Sequence, residues 1–440
     1  VLGFIGLITI SVIVYCLVRG VAAPLVVLSL VPIVAALAAG FAPAAIAGFA
    51  QKGSAAVVPI ATLFIFAILF FSVVRQAGIF EPLVRSLLRF AGDRIVRVTV
   101  ATSLVAMLAH LEGIGAATFL ITIPTFLPVY RRLQLSPYDL LMITGVSAGA
   151  VNFAPWGGPV GRSALALHLQ PVALWLPLIP TELTGAVAAL ALAFYVGKRA
   201  ERRLGGGTLP HEPSMNLTEQ SGRLDASQPT DGQRTGAAFY WFNVALTVGA
   251  VAALILTAFP PALIFLIALA IALVVNFKTA QQQLFQIKRH APEALTMGVL
   301  MLAAGSFLGI MDNSGMLTQL SQMLTSIIPL ALGRYVHLII GVFSLPLGIL
   351  FSPDAFYLGL MPMVNGIAAA HGIPPMSVAH AMMLGESVSF SVSPAVPTAY
   401  LAVGLAGCDI GEFLRRSIFW FWAVGLVMLA STIVFGTVEI

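Results

Sequence analysis

The sequence predicts an all-α, polytopic membrane protein of two inverted-topology repeats, each holding a re-entrant hairpin and a broken transmembrane helix. Three observations carry that prediction. The 440 residues are 59% hydrophobic and 9% charged, with a mean hydropathy of +1.00, outside the range of soluble chains. Pro124, Pro137 and Pro159 recur 238 residues later as Pro362, Pro375 and Pro397, and Gly78 recurs 237 later as Gly315. The basic residues, finally, gather on one side of the spans that hydropathy defines.

Apolar runs of roughly the 20 residues needed to span a bilayer lie near 1–17, 22–41, 55–77, 171–196, 239–258, 260–277, 294–311 and 416–438. Residues 1–17 read as a first span rather than a signal peptide, because Arg19 follows the apolar run and no small-residue cleavage site ends it. Residues 95–130 and 335–371 are each too short for two crossings and carry Gly, Pro or an acid at the middle. Both are expected to be re-entrant hairpins, which survive at membrane depth where protein or water satisfies the freed backbone. Residues 138–168 and 375–405 each have length for one crossing plus an unwound break. Residues 198–236 contain Gly205-Gly206-Gly207 followed by Pro, Ser, Gln, Glu and Asp, and read as a cytoplasmic linker. It separates an N-terminal repeat, 1–197, from a C-terminal repeat, 237–440. Amphipathic stretches at 80–90 and 316–327 follow matching helices and suit either interfacial helices or ordinary connectors.

Threading this map through a bilayer tests it. Of the 22 Lys and Arg, all but Lys52, Arg334 and the intramembrane Arg162 fall on one side. That side is cytoplasmic by the positive-inside rule. Residues 1–17 then run inward and 239–258 outward, so the halves are inverted and one hairpin enters from each face. Paired helix interruptions in corresponding halves are the mark of a secondary transporter's site near the bilayer midplane.

Other chemistries find little support. Cys16 and Cys408 are too far apart in sequence for a disulfide framework or a metal-ligand motif, and no phosphate-binding loop or intramembrane-protease signature is present. The net charge of +5 comes from residues flanking spans, so nucleic acid is not a partner.

Ionisable groups inside a membrane are expensive and mark function. Glu112, Asp354, Glu386 and, nearer the outer face, Glu182 are the acids at depth. Glu112, Asp354 and Glu386 are candidates to bind a cation or proton. Arg162 follows Asn152-Phe153-Ala154-Pro155-Trp156-Gly157-Gly158-Pro159, where a helix restarts. Its guanidinium, with half-helix amides around Asn152, Gly157 and Gly158, suits either a substrate carboxylate or an ion pair with one of the acids. At the hairpin tips Thr118 and Ser352 offer hydroxyls. Ser387, Ser389, Ser391 and Ser393 at period two suit an unwound stretch facing a cavity, with Thr398 beyond. His110 reads as a packed core histidine or a proton relay. His168, His337, His371 and His380 read as peripheral, and His211 and His290 as loop residues.

These motifs resemble a known family. Asn152 to Arg162, Ala303-Ala304-Gly305-Ser306-Phe307-Leu308-Gly309-Ile310, Ser352-Pro353-Asp354-Ala355-Phe356-Tyr357 and Ser393-Pro394 with Thr398 to Ala406 are similar to those of the citrate–metal:proton symporter family, CitMHS. The likeness covers nearly the whole chain. It implies the ion-transporter-superfamily fold, with a dimerising scaffold and a transport part bearing two hairpins. It also implies proton-coupled symport of citrate, commonly with a divalent metal such as Mg or Ca as co-substrate, and no resident cofactor. Two departures stand out. The family's Asp-Gly-Asp-Gly-like tip is Glu112-Gly113-Ile114-Gly115 here, and its Gln-Pro before the second break is Glu386-Ser387.

The sequence therefore predicts a multi-pass symporter of the cytoplasmic membrane, forming a homodimer. Asn152, Gly157, Gly158, Arg162, Thr118, Ser352, Ser391, Ser393 and Thr398 would contact the carboxylate, with no metal ligands of its own. The alternatives are a gluconate or di/tricarboxylate symporter of the same architecture and, from another class, a membrane-embedded enzyme.

Overall fold

The computed structural model describes residues 1–92, 94–113, 115–204, 236–327 and 330–439. Most of the expected linker, residues 205–235, lies outside the described residues, as does Ile114 of the first tip. Every regular element among the described residues is helical. The N-terminal half contains α1 (Leu2–Arg19), α2 (Pro24–Ala38), α3 (Pro43–Gln76), α4 (Glu81–Ala91), α5 (Ile95–His110) and α6 (Gly115–Arg132). It continues with α7 (Pro137–Ala150), α8 (Gly158–Ala166), α9 (Pro171–Trp175) and α10 (Ile179–Arg203). The C-terminal half begins with α11 (Ala237–Leu256), α12 (Pro261–Asn276), α13 (Ala280–Asn313), α14 (Met316–Ile327), the single turn α15 (Leu330–Gly333) and α16 (Val336–Leu350). A π-helical stretch, Ala355–Leu360, then runs into α17 (Met361–Ala369), followed by α18 (Pro375–Ser389), α19 (Pro397–Ala406) and α20 (Ile410–Val434).

Local chemistry sets these boundaries. Proline opens α2, α3, α7, α12, α18 and α19 at the first turn, where its missing N–H costs nothing. A reciprocal cap between Thr279 and Gln282 starts α13. Among the described residues five helices are long and apolar enough to cross a membrane. The hairpin arms are not: α5 has 16 residues and α16 has 15, about 24 and 22 Å at 1.5 Å per residue, against a hydrocarbon core of about 30 Å. The broken helices are no longer than these on either side, with 14 and 9 residues for α7 and α8 and 15 and 10 for α18 and α19.

Two 34-residue helices, α3 and α13, form the most extensive contact in the molecule. Gly53, Gly305 and Gly309 let their backbones meet. A Cβ on Gly53 would lie 2.1 Å from the Gly305 carbonyl oxygen, and one on Gly309 would lie 2.4 Å from that of Phe49. Such a crossing replaces hydrophobic attraction, which is absent in lipid, with close van der Waals contact. Around it pack α2 and α12. A second group packs α5, α7, α10, α16, α18 and α20, with α6 on α19. Within it α7 and α18 meet at residues 238 apart, where the Ser387 hydroxyl donates to the Gly149 carbonyl at 3.3 Å.

Several expectations change here. The apolar runs at 55–77 and 294–311 are only the C-terminal parts of α3 and α13, whose first parts, with Lys52 in one and Lys288 and Arg289 in the other, are helical too. Ser387 and Ser389 do not lie in an unwound stretch. Both end α18 and donate to backbone carbonyls, of Gly149 and of Glu386, so only Ser391 and Ser393 fall in the break. His337 and His380 are buried rather than peripheral, and His290 sits within α13 rather than in a loop.

Candidate functional site

Both breaks border one cavity of about 500 Å³, within the range of small-molecule sites. From the first come Asn152, Trp156, Gly158, Pro159 and Arg162; from the second come Phe390, Val396 and Thr398. The hairpin tips add His110, Gly113, Gly115 and Pro353, and α18 adds Glu386. The long helices close it with Phe64 and Ile68 of α3 and with Pro292, Glu293, Thr296 and Met297 of α13. Pro292, Glu293 and Thr296 are exposed.

Arg162, one turn into α8, joins the two halves. Its Nε donates to Asp354 Oδ1 at 2.7 Å, across 192 residues of sequence. The rest of the guanidinium folds back over the start of its own helix. A Cβ on Gly158 would lie 2.6 Å from Arg162 Nη1, so glycine there makes room for it. Glu386 and Tyr357 are also within Coulombic reach of this cation, and the Tyr357 hydroxyl donates to Glu386 Oε2. One cation and two carboxyl groups, with a phenol, are thus gathered where water is scarce.

The first hairpin tip is tied to α3. Glu112 is fully buried, and Oε1 accepts from Arg75 Nη1 at 2.9 Å, leaving Oε2 without a partner among the described residues. Gly113 adopts φ +79°, the left-handed turn that glycine tolerates. The Trp156 indole N–H donates to the Leu111 carbonyl at 3.0 Å, and its ring stacks on Phe71 at 4.8 Å. The tryptophan of the first break therefore holds the hairpin tip against α3. His110 Nδ1 lies 2.8 Å from Thr118 Oγ1.

The other predicted residues are distributed less uniformly. Asn152, Gly158, Arg162, Thr398 and Glu386 line the cavity, whereas Gly157, Thr118, Ser352, Ser391, Ser393, Glu112 and Asp354 stand behind it. Ser352 Oγ accepts from the Ala355 amide and helps turn the second tip. Ser393 donates to the Ile349 carbonyl, stitching the second break to that hairpin. Ser391 is buried against Gly145, where a Cβ would lie 2.4 Å from Oγ, and its hydroxyl has no partner among the described residues. Glu182 lies away from the cavity and accepts from Trp175 Nε1 at 3.1 Å. Sequence reasoning missed Arg75, Tyr357 and Glu293. Tyr357 was within reach, since it belongs to the Ser-Pro-Asp-Ala-Phe-Tyr run. Arg75 was read only as a cytoplasmic flank.

Outside the cavity, His168 Nε2 pairs with Asp312 Oδ2 at 2.9 Å. Asp312 and Arg75 stand 237 residues apart, in the last turns of α13 and α3. Each ties the end of a long helix to the second group.

Known proteins place this architecture. The chain is 33% identical to a citrate transporter of Bacillus subtilis (strain 168), over 100% of both chains. It is 31% identical to a Mg(2+)/citrate complex secondary transporter of the same organism, over 94% of each. Its fold is similar to that of the Alcanivorax borkumensis YdaH transporter, with a TM-score of 0.59, 17% identity and 88% of each chain covered. These relatives are transporters, which removes the membrane-enzyme alternative. The citrate transporter pattern, CitMHS, matches residues 5–385, and this multi-pass membrane protein belongs to that family of transporters.

Proposed function

We propose that the chain is a secondary active symporter that carries citrate, alone or complexed with a divalent metal, in company with protons. The observation that carries this reading is Arg162, a cation on the cavity wall only 14% exposed, with one edge held by Asp354. A guanidinium is planar and permanently charged, so its remaining N–H groups suit a carboxylate in a dry site. Asn152 and Thr398 would add neutral contacts.

Charge arithmetic supports a companion cation. Arg162 faces two carboxyl groups, Asp354 and Glu386, so the pocket is not net positive when both are ionised. Adding a multiply charged anion then requires a proton on Glu386 or Asp354, or a metal arriving with the substrate. Among the described residues no group of three or more His, Cys, Asp or Glu could hold a metal. A divalent ion would therefore enter as part of the cargo, as the name of the Mg(2+)/citrate relative suggests for that protein.

Transport would follow alternating access, with residues 1–197 and 237–440 as inverted repeats and the hairpin-bearing group moving against α3 and α13. The meeting of Ser387 with Gly149, 238 residues apart, supports a two-fold relation between the halves. Glu112 would serve as a second proton site at the first tip, and a homodimer through the helices around α3 and α13 follows from the family resemblance.

The test is uptake of labelled citrate by proteoliposomes under an imposed pH step, with and without magnesium. The unaltered chain should accumulate citrate, and Arg162→Ala should raise KM by about 10- to 100-fold, the equivalent of losing a charged hydrogen bond worth about 1.5–3 kcal/mol. Equal uptake by both would remove Arg162 from the site. Counterflow with gluconate and malate separates the sister symporters, because only the true substrate should drive exchange of labelled citrate at full rate.

A further inference from the structure

His110 closes α5 immediately before the first tip, borders the cavity and is only 2% exposed. One side of its ring is fixed, since Nδ1 meets the fully buried Thr118 hydroxyl at 2.8 Å. Phe390 of the second break lies against the ring at 5.3 Å between centroids. The other side is open in a chemical sense. Nε2 is buried and makes no hydrogen bond of ordinary length and angle among the described residues, its polar neighbour being the Asn152 side chain, which is close enough to interact with the ring.

Buried His290 and His337 also leave one ring nitrogen unpartnered among the described residues, but neither borders the cavity, and it is the combination with the cavity wall that distinguishes His110. His380 faces a carbonyl oxygen at each nitrogen, that of Thr437 at 3.0 Å from Nδ1 and that of Leu174 at 2.9 Å from Nε2, so its ring is enclosed by backbone on both sides and does not border the cavity. Leaving a buried polar atom unsatisfied is costly. An orphan nitrogen in the wall of a cavity, next to a second neutral polar side chain, is what a ligand oxygen would complete.

We propose that His110 is a substrate-binding, specificity-determining residue whose Nε2–H donates to a carboxylate oxygen alongside Asn152, with Thr118 as its positioning residue. The proposal rests on the carboxylate reading above. An ionised carboxylate only accepts hydrogen bonds, so Nε2 must carry the imidazole's single proton. Nδ1 is then the acceptor, and the Thr118 hydroxyl must donate to it. The Thr118 hydroxyl, which can donate as well as accept, thus holds the ring in the tautomer that a carboxylate needs once substrate is bound, without touching the substrate. A neutral donor adds direction without adding charge, which suits a cavity that already holds Arg162.

Citrate KM and Vmax in proteoliposomes, with thermal unfolding of each purified variant, test this. His110→Ala should raise KM about tenfold with Vmax and Tm little changed, while His110→Gln, which keeps an N–H donor, should stay within about threefold. Thr118→Val should raise KM and Thr118→Ser should restore it, a rescue that packing alone would not give. If the alanine variant does not assemble, His110→Met against His110→Gln gives the same contrast. Unchanged KM in His110→Ala or His110→Met, or equal loss in the glutamine variant, overturns the assignment of His110. Absence of citrate uptake by the unaltered chain is a separate result, which overturns the citrate reading and this inference with it.

Discussion

At the scale of single residues, the site is a set of charges placed where they are hard to keep. Arg162 was legible in the sequence because a cation three residues after Pro159, within an apolar stretch, has no cheap structural explanation. Its partner was not legible, since Glu112, Asp354 and Glu386 stood at similar depth and only folding selects Asp354. Tyr357 escaped notice for another reason: an aromatic in an apolar run reads as packing until its hydroxyl is seen on Glu386. His168 carries a measurable consequence outside the spans. Its hydrogen bond to Asp312 raises the imidazole above the ordinary value of 6.5. Folding therefore favours the protonated form, so the stabilisation is complete below pH 6.5 and disappears as pH climbs through the raised value. The pair is half exposed, so the effect is small. The gap in Tm between the unaltered chain and His168→Gln should be widest in acidic buffer and close in alkaline buffer. A gap that grows with pH would contradict the assignment.

Elements were read best where the chain is punctuated. Gly, Pro and buried acids marked all four interruptions, and helices do stop near 111–114, 151–157, 351–354 and 390–396. The long helices were read worst. Gln51-Lys52-Gly53-Ser54 and the segment from Gln281 to His290 look like the ends of spans, because hydropathy counts transfer to lipid. Both segments are nevertheless helical, and Gly53 in the first serves close approach to α13 rather than ending a span. The same blind spot hid the Arg75–Glu112 pair, whose partners sit on α3 and at the hairpin tip. Removing one partner of a buried ion pair costs about 3–5 kcal/mol, whereas removing both costs much less. Arg75→Gln and Glu112→Gln should each lower the unfolding midpoint in detergent, and the double variant should recover part of the loss. Additive losses would show that the contact contributes little to the docking of hairpin and helix.

For the whole molecule, the chain divides into helices gathered on the α3–α13 crossing and helices gathered on the two hairpins, joined by few polar contacts. His168 and Asp312 form one of them, on opposite groups and away from the cavity. Cys16 and Cys408 are the chain's two cysteines, so a background with Cys16→Ser and Cys408→Ser leaves new thiols as the sole targets. In that background, His168→Cys with Asp312→Cys should carry citrate with its thiols free, stop when a short bifunctional thiosulfonate bridges them, and resume on adding reductant. Full activity of the bridged form would mean that the two groups do not move apart at this point during a cycle.

The contact of Ser387 with Gly149 reaches furthest. On the proposed inverted-repeat arrangement Ser387 touches the position that matches it in the other half, and exchanging the roles of the halves returns the same local geometry. A carrier that alternates by letting each half borrow the other's shape would have a pivot there, unmoved while everything around it trades places.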